Sequence, residues 1–246
     1  MENDLENHLC VVLPTILHGY GVDATPHQIQ LLIRHLSLVI ERNKVVNLTR
    51  IVNAEDALVL HILDSLIPLC CHVFERAPIA AFVDIGTGAG YPGIPIGIMT
   101  GYQGLLIDSV GKKVDAVNDF IASLELRDQL QAKKMRAEEL DKSMVGSYGC
   151  VVVRAVAKTN VLIEYAQPFL ANGGYALIAK GNPDDAEIMQ ASQAASICGM
   201  SFVSRETFEL PRSLGHREML IYEKTGSSKV RLPRPVGTAK LQPLGA

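Results

Sequence analysis

Apolar residues in the first fifty positions have the spacing of helices rather than of strands. Thr25, Pro26 and Gln28 form a favourable helix start, with a hydroxyl cap, a proline in the first turn and an amide three residues after the cap. One helical face then follows at Ile29, Leu32, Ile33, Leu36 and Ile40. A second helical stretch covers residues 55–73. The pattern therefore predicts an N-terminal helical cap over residues 1–54.

Apolar strand-like runs alternate with helical stretches in the middle of the chain. The runs cover 80–85, 104–108, 148–154 and 174–180, with a weaker one at 130–135, and the helical stretches include 111–125 and 159–170. This order predicts an α/β domain over residues 55–224, with a mostly parallel, Rossmann-like sheet and helices on both faces. The segment 201–224 predicts two final strands that close the sheet as an antiparallel pair.

The charge of the chain is unevenly distributed. The net charge is −3, and the end of the chain carries five cations and no acid, which leaves −8 for the rest. The cations are Lys224, Lys229, Arg231, Arg234 and Lys240. Residues 225–246 show no periodicity and predict a basic, flexible tail. Such a tail is either an electrostatic arm for RNA, the interpretation that we favour, or a solubilising terminus.

Cysteine usage and the N-terminal residues bear on the compartment. Five cysteines without a Cys-x-x-Cys pair argue against a zinc site and for a reducing compartment. The chain starts MENDLENHLC, which does not resemble a secretion signal, and has no run of eighteen apolar residues. We expect a cytoplasmic protein that is monomeric and is not bound to a membrane or a metal.

A glycine-rich stretch, DIGTGAGYPG, follows the first predicted strand at residues 84–93. It lacks the Gly-Lys-Ser/Thr of a phosphate-binding P-loop. It does contain the dinucleotide pattern Gly-x-Gly-x-x-Gly at Gly88, Gly90 and Gly93, and Asp108 lies at the offset expected for a ribose-binding acid. The stretch could therefore bind a methyl donor or a nicotinamide dinucleotide, or it could be a tight turn without a ligand.

Asp84 favours S-adenosylmethionine among these ligands. A carboxylate at the end of the first strand would repel a pyrophosphate, whereas the methyl donor carries an ammonium and a sulfonium. Gly86, Gly88 and Gly90 would bring the backbone close to this ligand. Asp108 would accept hydrogen bonds from the ribose hydroxyls, and the junction at residues 136–139 would meet the adenine.

Several motifs together resemble one known family. They are NKVVNLTRI (43–51), HILDSL (61–66), FVDIGTGAGYPGIPIGI (82–98), LIDSVGKK (106–113), VVRAVA (152–157), IAKG (178–181), GHREMLIYEK (215–224) and the basic end (231–244). They are similar to those of the bacterial 16S rRNA guanine-N7 methyltransferases, also called glucose-inhibited division protein B. The resemblance covers nearly the whole chain.

The resemblance implies a class I methyltransferase fold and a substrate in the small ribosomal subunit, one guanosine in the decoding-region hairpin of 16S rRNA. It implies cofactor contacts at Gly86, Tyr91, Ala137, Glu138 and Arg154. Three positions depart from common family residues: Tyr91 replaces Leu or Phe, Arg42 replaces Trp in some members, and Val156 replaces Phe in many.

The resemblance implies a site that acts by positioning the methyl donor and the guanine. Guanine N7 has a free lone pair and no proton to lose, so no general base is needed. Arg154 ends an apolar strand and is the candidate catalytic residue; the alternative is a structural ion pair with Asp84 or Glu138. Cys150 lies near the start of the same strand, where we expect a core residue rather than a nucleophile.

Further candidates have structural alternatives of similar weight. Lys180 and Lys112 are predicted to contact RNA, together with the tail residues Lys229, Arg231 and Arg234; for Lys112 the alternative is a solvated helix face. His61 and Asp64 are more readily scaffold than catalyst. Two rival functions stay open, a nicotinamide-dependent oxidoreductase and a catalytically inactive RNA-binding module.

Overall fold

The fold is built on one seven-stranded sheet with helices on both faces. A computed structural model describes residues 2–51, 53–154 and 157–246. The strands are β1 (Ala81–Ile85), β2 (Gln103–Asp108), β3 (Leu130–Lys134), β4 (Tyr148–Arg154), β5 (Leu170–Lys180), β6 (Met200–Glu209) and β7 (His216–Lys224). Their order across the sheet is β3-β2-β1-β4-β5-β7-β6. The predicted α/β class is confirmed.

The first five strands pair in parallel, and β7 joins β5 and β6 in antiparallel pairs. The central strands β1 and β4 are buried on both faces, which explains why they read as continuous apolar runs. The order reverses between β1 and β4, so the loops after β1, β2 and β4 meet at one edge of the sheet. Ligands bind at such a point in open α/β sheets.

The helices of the described residues are α1 (Glu2–His18), α2 (Pro26–Asn43), α3 (Ala54–Ala57), α4 (Asp64–Cys70), α5 (Gly93–Thr100), α6 (Gly111–Ser123), α7 (Thr159–Ala166), α8 (Asp185–Cys198) and α9 (Thr238–Leu241). The predicted cap of α2 is confirmed, because Thr25 and Gln28 exchange backbone and side-chain hydrogen bonds of 2.8 and 3.2 Å. Within these residues no helix combines the length and apolarity needed to cross a bilayer.

The N-terminal helices share a hydrophobic core with one face of the sheet. Leu13 of α1 and Leu32 of α2 belong to the same buried cluster as Phe82 of β1 and Ile94 of α5. The Gln28 amide also donates to two carbonyls at the end of α5. The region predicted as a cap, apart from Met1 and Val52, which lie outside the described residues, is therefore packed directly against the sheet.

One π-helical turn, Leu58–Leu63, connects α3 to α4. The prediction of a single helical stretch at 55–73 is thus confirmed in outline, with this wider turn inside it. Leu58, Val59, Ile62 and Leu63 are buried, so the turn is part of the core. The turn carries His61 and leads directly into Asp64, and both side chains lie near the loops after β1 and β4.

The prediction of a flexible C-terminal tail is wrong. Residues 225–246 run back over α7 and α8, where Ala239 is fully buried and Leu232 and Leu244 pack against a second buried cluster that includes Val161 of α7 and Ala195 of α8. The Arg234 guanidinium forms an ion pair with Glu164 of α7, whose side chain is 2% exposed. The sequence does not reveal this ion pair, because the partner of Arg234 lies 70 positions away.

Candidate active site

The glycine loop between β1 and α5 depends on glycine at several positions. Gly86, Gly88 and Gly90 have φ values of 81°, 60° and 89°, in the left-handed region that favours glycine. A Cβ atom on Gly93 would lie 2.6 Å from Leu106 and 2.8 Å from the Asp84 carboxylate. The loop therefore turns tightly and starts α5 directly against the sheet.

Asp84 stabilises this loop from inside the protein. Its Oδ2 atom accepts a 2.8 Å hydrogen bond from the backbone N–H of Gly93 at the start of α5, and the side chain is fully buried. Burial raises its pKa from 3.8 to about 7, against the opposing effects of Thr87 and the Gly93 N–H. The side chain points under the loop and has no exposed surface, so its observed role is to shape the loop, and the cofactor contact at Asp84 stays a prediction.

A cavity of about 340 Å³ lies at the carboxyl ends of β1, β2 and β4. Its wall includes Gly86, Asp108, Ala137, Glu138 and Arg154, all five of them predicted cofactor residues. Its volume is within the usual range for small-molecule sites. Of the three loop glycines predicted to contact the cofactor, Gly86 lines this cavity, whereas Gly88 and Gly90 shape the loop behind it.

Asp108 joins the glycine loop to the cavity wall. Its Oδ2 accepts a 3.1 Å hydrogen bond from the Gly88 N–H, and its Oδ1 accepts one of 2.9 Å from the Val110 N–H. Each carboxylate oxygen can accept a further hydrogen bond. The side chain is thus fixed by the backbone and still able to bind hydroxyl groups of a ligand.

Tyr91, by contrast, is part of the core beneath the loop. It is 4% exposed, and its ring stacks on His61 at a centroid distance of 4.6 Å. Burial raises the pKa of Tyr91 and lowers the pKa values of His61 and His35 to about 4 and about 3. The Tyr91 ring fills the space between the loop and the helical layer, so its side chain supports the loop, and the cofactor contact at Tyr91 stays a prediction.

Arg154 and Asp64 form the main ion pair of the site. Arg154 Nη1 donates to Asp64 Oδ2 at 2.9 Å and to the Leu60 carbonyl at 3.0 Å. Asp64 is 4% exposed, and its other oxygen accepts from Arg217 Nε at 2.8 Å. An ion pair of Arg154 was anticipated with Asp84 or Glu138, and the partner is instead Asp64.

A second cavity, of about 360 Å³, lies on the other side of Arg154. It is lined by Ile51, Leu60, His61, Asp64, Arg154, Ala179, Lys180, Gly181 and Arg217. Among the described residues, Arg154 lines both cavities. The sequence interpretation missed Arg217, and the only local signal for it is its basic character inside the motif GHREMLIYEK.

The predicted RNA contacts are differently placed. Lys112 at the start of α6, Lys229 and Arg231 are exposed. Lys180 lines the second cavity, but its Nζ lies 2.7 Å from Glu187 Oε1, so its charge is partly neutralised. The Arg234 guanidinium is paired with Glu164, so the observed contact is structural, and RNA binding by Arg234 stays a prediction.

The remaining candidates fit structural roles. Arg42 forms an ion pair with Asp119 at 2.9 Å, and Val156 lies outside the described residues. Cys150 is confirmed as a core residue: it is fully buried, and burial raises its pKa to about 12. Among the described residues no His, Cys, Asp and Glu side chains are grouped to hold a metal ion.

A larger cavity, of about 700 Å³, lies elsewhere, lined by Gln103, Gly104 and Gln129 among others. These residues are at the amino ends of β2 and β3, opposite the glycine loop. Because ligands of this class of sheet gather at the carboxyl ends of the strands, we assign the active site to the two cavities that meet at Arg154.

Comparison with known proteins identifies relatives over most of the chain. Residues 28–214 match the sequence model of a family described as rRNA small subunit methyltransferase G. The chain is 35% identical to "Ribosomal RNA small subunit methyltransferase G" of Desulfitobacterium hafniense, over 91% of this chain and 92% of that protein. It is 39% identical to the protein of the same name from Gloeobacter violaceus, over 87% and 85% of the two chains.

Solved structures share the fold at low sequence identity. A geranyl diphosphate methyltransferase in complex with S-adenosylmethionine superimposes with a TM-score of 0.52, at 11% identity, over 63% of this chain and 82% of that one. A putative sarcosine dimethylglycine methyltransferase from Galdieria sulphuraria gives 0.54, at 13% identity, over 70% and 88%. Together they confirm the predicted class I methyltransferase sheet.

Proposed function

Because the chain belongs to the rRNA small subunit methyltransferase G family, we propose that it methylates N7 of one guanosine in 16S rRNA. It is a methyltransferase that uses S-adenosylmethionine, and its substrate is RNA of the small ribosomal subunit. The observation that carries the finer proposal is the pair of cavities that meet at Arg154. We also propose that it acts as a monomer in the cytoplasm.

The first cavity suits the cofactor. When bound, S-adenosylmethionine supplies a methyl group on a positively charged sulfur. The free lone pairs of Asp108 suit the ribose hydroxyls, since its two oxygens are already aimed by Gly88 and Val110. Gly86 offers backbone without a side chain, and Ala137 and Glu138 line the part of the wall assigned to the adenine.

The second cavity suits the target base. Arg154 reaches both cavities and would donate a hydrogen bond to guanine O6, the acceptor next to N7. Methylation of N7 leaves a positive charge on the purine. Asp64 carries one negative charge against the two positive charges of Arg154 and Arg217, so its role is to hold these guanidinium groups in place rather than to offset the charge on the purine. Arg154 is therefore the proposed catalytic residue, and Asp64 positions it.

No side chain in these walls needs to remove a proton. His61 lines the second cavity, and its low pKa of about 4 keeps it neutral near pH 7. Its Nε2 is bonded to Thr49 Oγ1 at 2.9 Å, which favours a scaffold role. This agrees with a reaction whose nucleophile is a free lone pair. The two rival functions lose their support, because family membership identifies a methyltransferase.

The experiment is to map the methyl group. Small subunits from cells that lack the protein are incubated with the enzyme and methyl-labelled S-adenosylmethionine, in parallel with protein-free 16S rRNA. Nucleoside mass spectrometry should find one 7-methylguanosine per subunit, and the Asp108→Ala variant should give far less. A label on another base, or on another atom of guanine, would contradict the proposal.

A further inference from the structure

The C-terminal segment is firmly attached to the methyltransferase domain. Arg234 Nε donates to Glu164 Oε1 at 2.7 Å, and its Nη2 donates to the Gln242 carbonyl at 2.9 Å. Farther along, the Asn160 amide donates to the Leu244 carbonyl at 3.0 Å. Buried ion pairs with additional hydrogen bonds hold a defined geometry. The segment therefore lies at one place on α7.

The same segment reaches the cofactor cavity at two points. The backbone N–H of Gly237 donates to Glu138 Oε1 at 3.1 Å, and the same oxygen accepts from the Tyr165 hydroxyl at 3.1 Å. Glu138 and Tyr165 both line the cavity. Helix α9 follows Gly237, and its Lys240 is itself part of the cavity wall.

The placement of Lys240 follows from its neighbours. Gly237 has φ 85°, a left-handed turn that sends the chain into α9. Ala239 is fully buried and attaches α9 to the core beside α7, so the next residue faces the cavity mouth. In the described part of the chain no carboxylate lies within ion-pair distance of the Lys240 ammonium. Its three N–H donors are thus available to a ligand.

We propose that residues 229–246, the C-terminal strap, form a wall of the cofactor site and that Lys240 is a cofactor-binding residue. This inference rests on the proposed function, since it takes S-adenosylmethionine as the ligand. The ammonium of Lys240 donates to an acceptor of that ligand, and the Gly237–Glu138 hydrogen bond transmits cofactor binding to the strap. An RNA arm, in contrast, would need these groups to face away from the cavity.

The test is calorimetric titration of the full-length protein with S-adenosylhomocysteine, the product form of the cofactor. Lys240→Ala should weaken binding about fivefold, the effect of one exposed charge-assisted hydrogen bond. Lys240→Arg should recover most of the affinity. The matched control is Lys229→Ala, another exposed cation of the strap, whose Nζ contacts Ser196 and which should stay within about twofold of the unmodified protein.

A second measurement follows the strap itself. Hydrogen exchange of the backbone amides at residues 237–242 should slow when S-adenosylhomocysteine is added, while exchange in α1 should not change. If the unmodified protein does not bind the ligand, the proposed function fails. If it binds, but Lys240→Ala has the same affinity and exchange at 237–242 is unaltered, the inference about the strap is overturned. The inference is also overturned if Lys240→Ala weakens RNA binding but leaves the affinity for S-adenosylhomocysteine unchanged.

Discussion

The buried carboxylate beneath the glycine loop gives a quantitative prediction of stability against pH. Asp84 has a pKa near 3.8 in the unfolded chain and about 7 in the folded protein. The folded state therefore holds one more proton than the unfolded state between these values, and stability falls as pH rises through this window. From about pH 5 to pH 8 the loss is about 2–3 kcal/mol, since one pKa unit corresponds to about 1.4 kcal/mol.

Asp84→Asn should remove this loss. Its amide oxygen can still accept from the Gly93 N–H, but nothing at this position ionises. Urea unfolding of both proteins at about pH 5 and pH 8 gives the free energy of unfolding. The free energy of unfolding of Asp84→Asn relative to that of the unmodified protein should rise by about 2–3 kcal/mol from the lower to the higher pH. Titrations of His35 and His61 cancel, because they are common to both proteins.

An equal pH dependence in the two proteins would refute the reasoning, since it would mean that Asp84 does not titrate near neutrality. The same variant also separates stability from chemistry. With Asp84→Asn, the single-turnover methylation rate should be nearly constant between about pH 6 and 9, because guanine N7 carries no proton. A remaining inflection near pH 7 would indicate a general base and count against N7 as the target atom.

Three further predictions follow from other contacts. Arg234→Met leaves Glu164 buried without its partner and should lower the free energy of unfolding by about 3–5 kcal/mol, with partial recovery when Glu164→Gln is added. Asp108→Ala should weaken S-adenosylhomocysteine binding by about 1–3 kcal/mol in calorimetry, and equal affinity would remove Asp108 from the site. Removing the exposed cations Lys229 and Arg231 should make the slope of log RNA affinity against log salt shallower by about 1.4, without changing cofactor affinity; an unchanged slope would mean that neither contacts phosphate.

The parts of the fold that were predictable rest on local signals. The strand predicted at 148–154 matches β4, because four apolar side chains in a row, at 150–153, suit a strand buried on both faces. The cap at Thr25 was readable because its partner, Gln28, is three residues away. Asp108 and Gly86 were also predictable, because each lies at the carboxyl end of a predicted strand, where ligands of parallel sheets bind.

The unpredicted parts depend on contacts that no sequence window contains. Asp64 acquires its role from Arg154 and Arg217, which lie 90 and 153 positions away. Asp84 was placed at a strand end, as predicted, but the sequence does not say whether a side chain there faces the ligand or the following helix. The strap was predicted to be flexible because its few apolar residues have no periodicity, although Leu232, Ala239 and Leu244 pack against the core beside α7 and α8.

The π-helical turn before Asp64 presents a backbone carbonyl to Arg154. A π turn holds one residue more than the α turn that it replaces, and single-turn insertions of this kind are common at functional sites. Deleting one residue from Leu58–Leu63 would let the segment close as an ordinary α-helix, and the helices before and after the turn would stay nearly aligned, because the π turn holds just the one residue that is removed. Asp64 would then keep its direction, while the wider turn that carries the Leu60 carbonyl would be gone. A one-residue deletion in this turn should therefore cost Arg154 its contact with a backbone carbonyl but not its carboxylate partner.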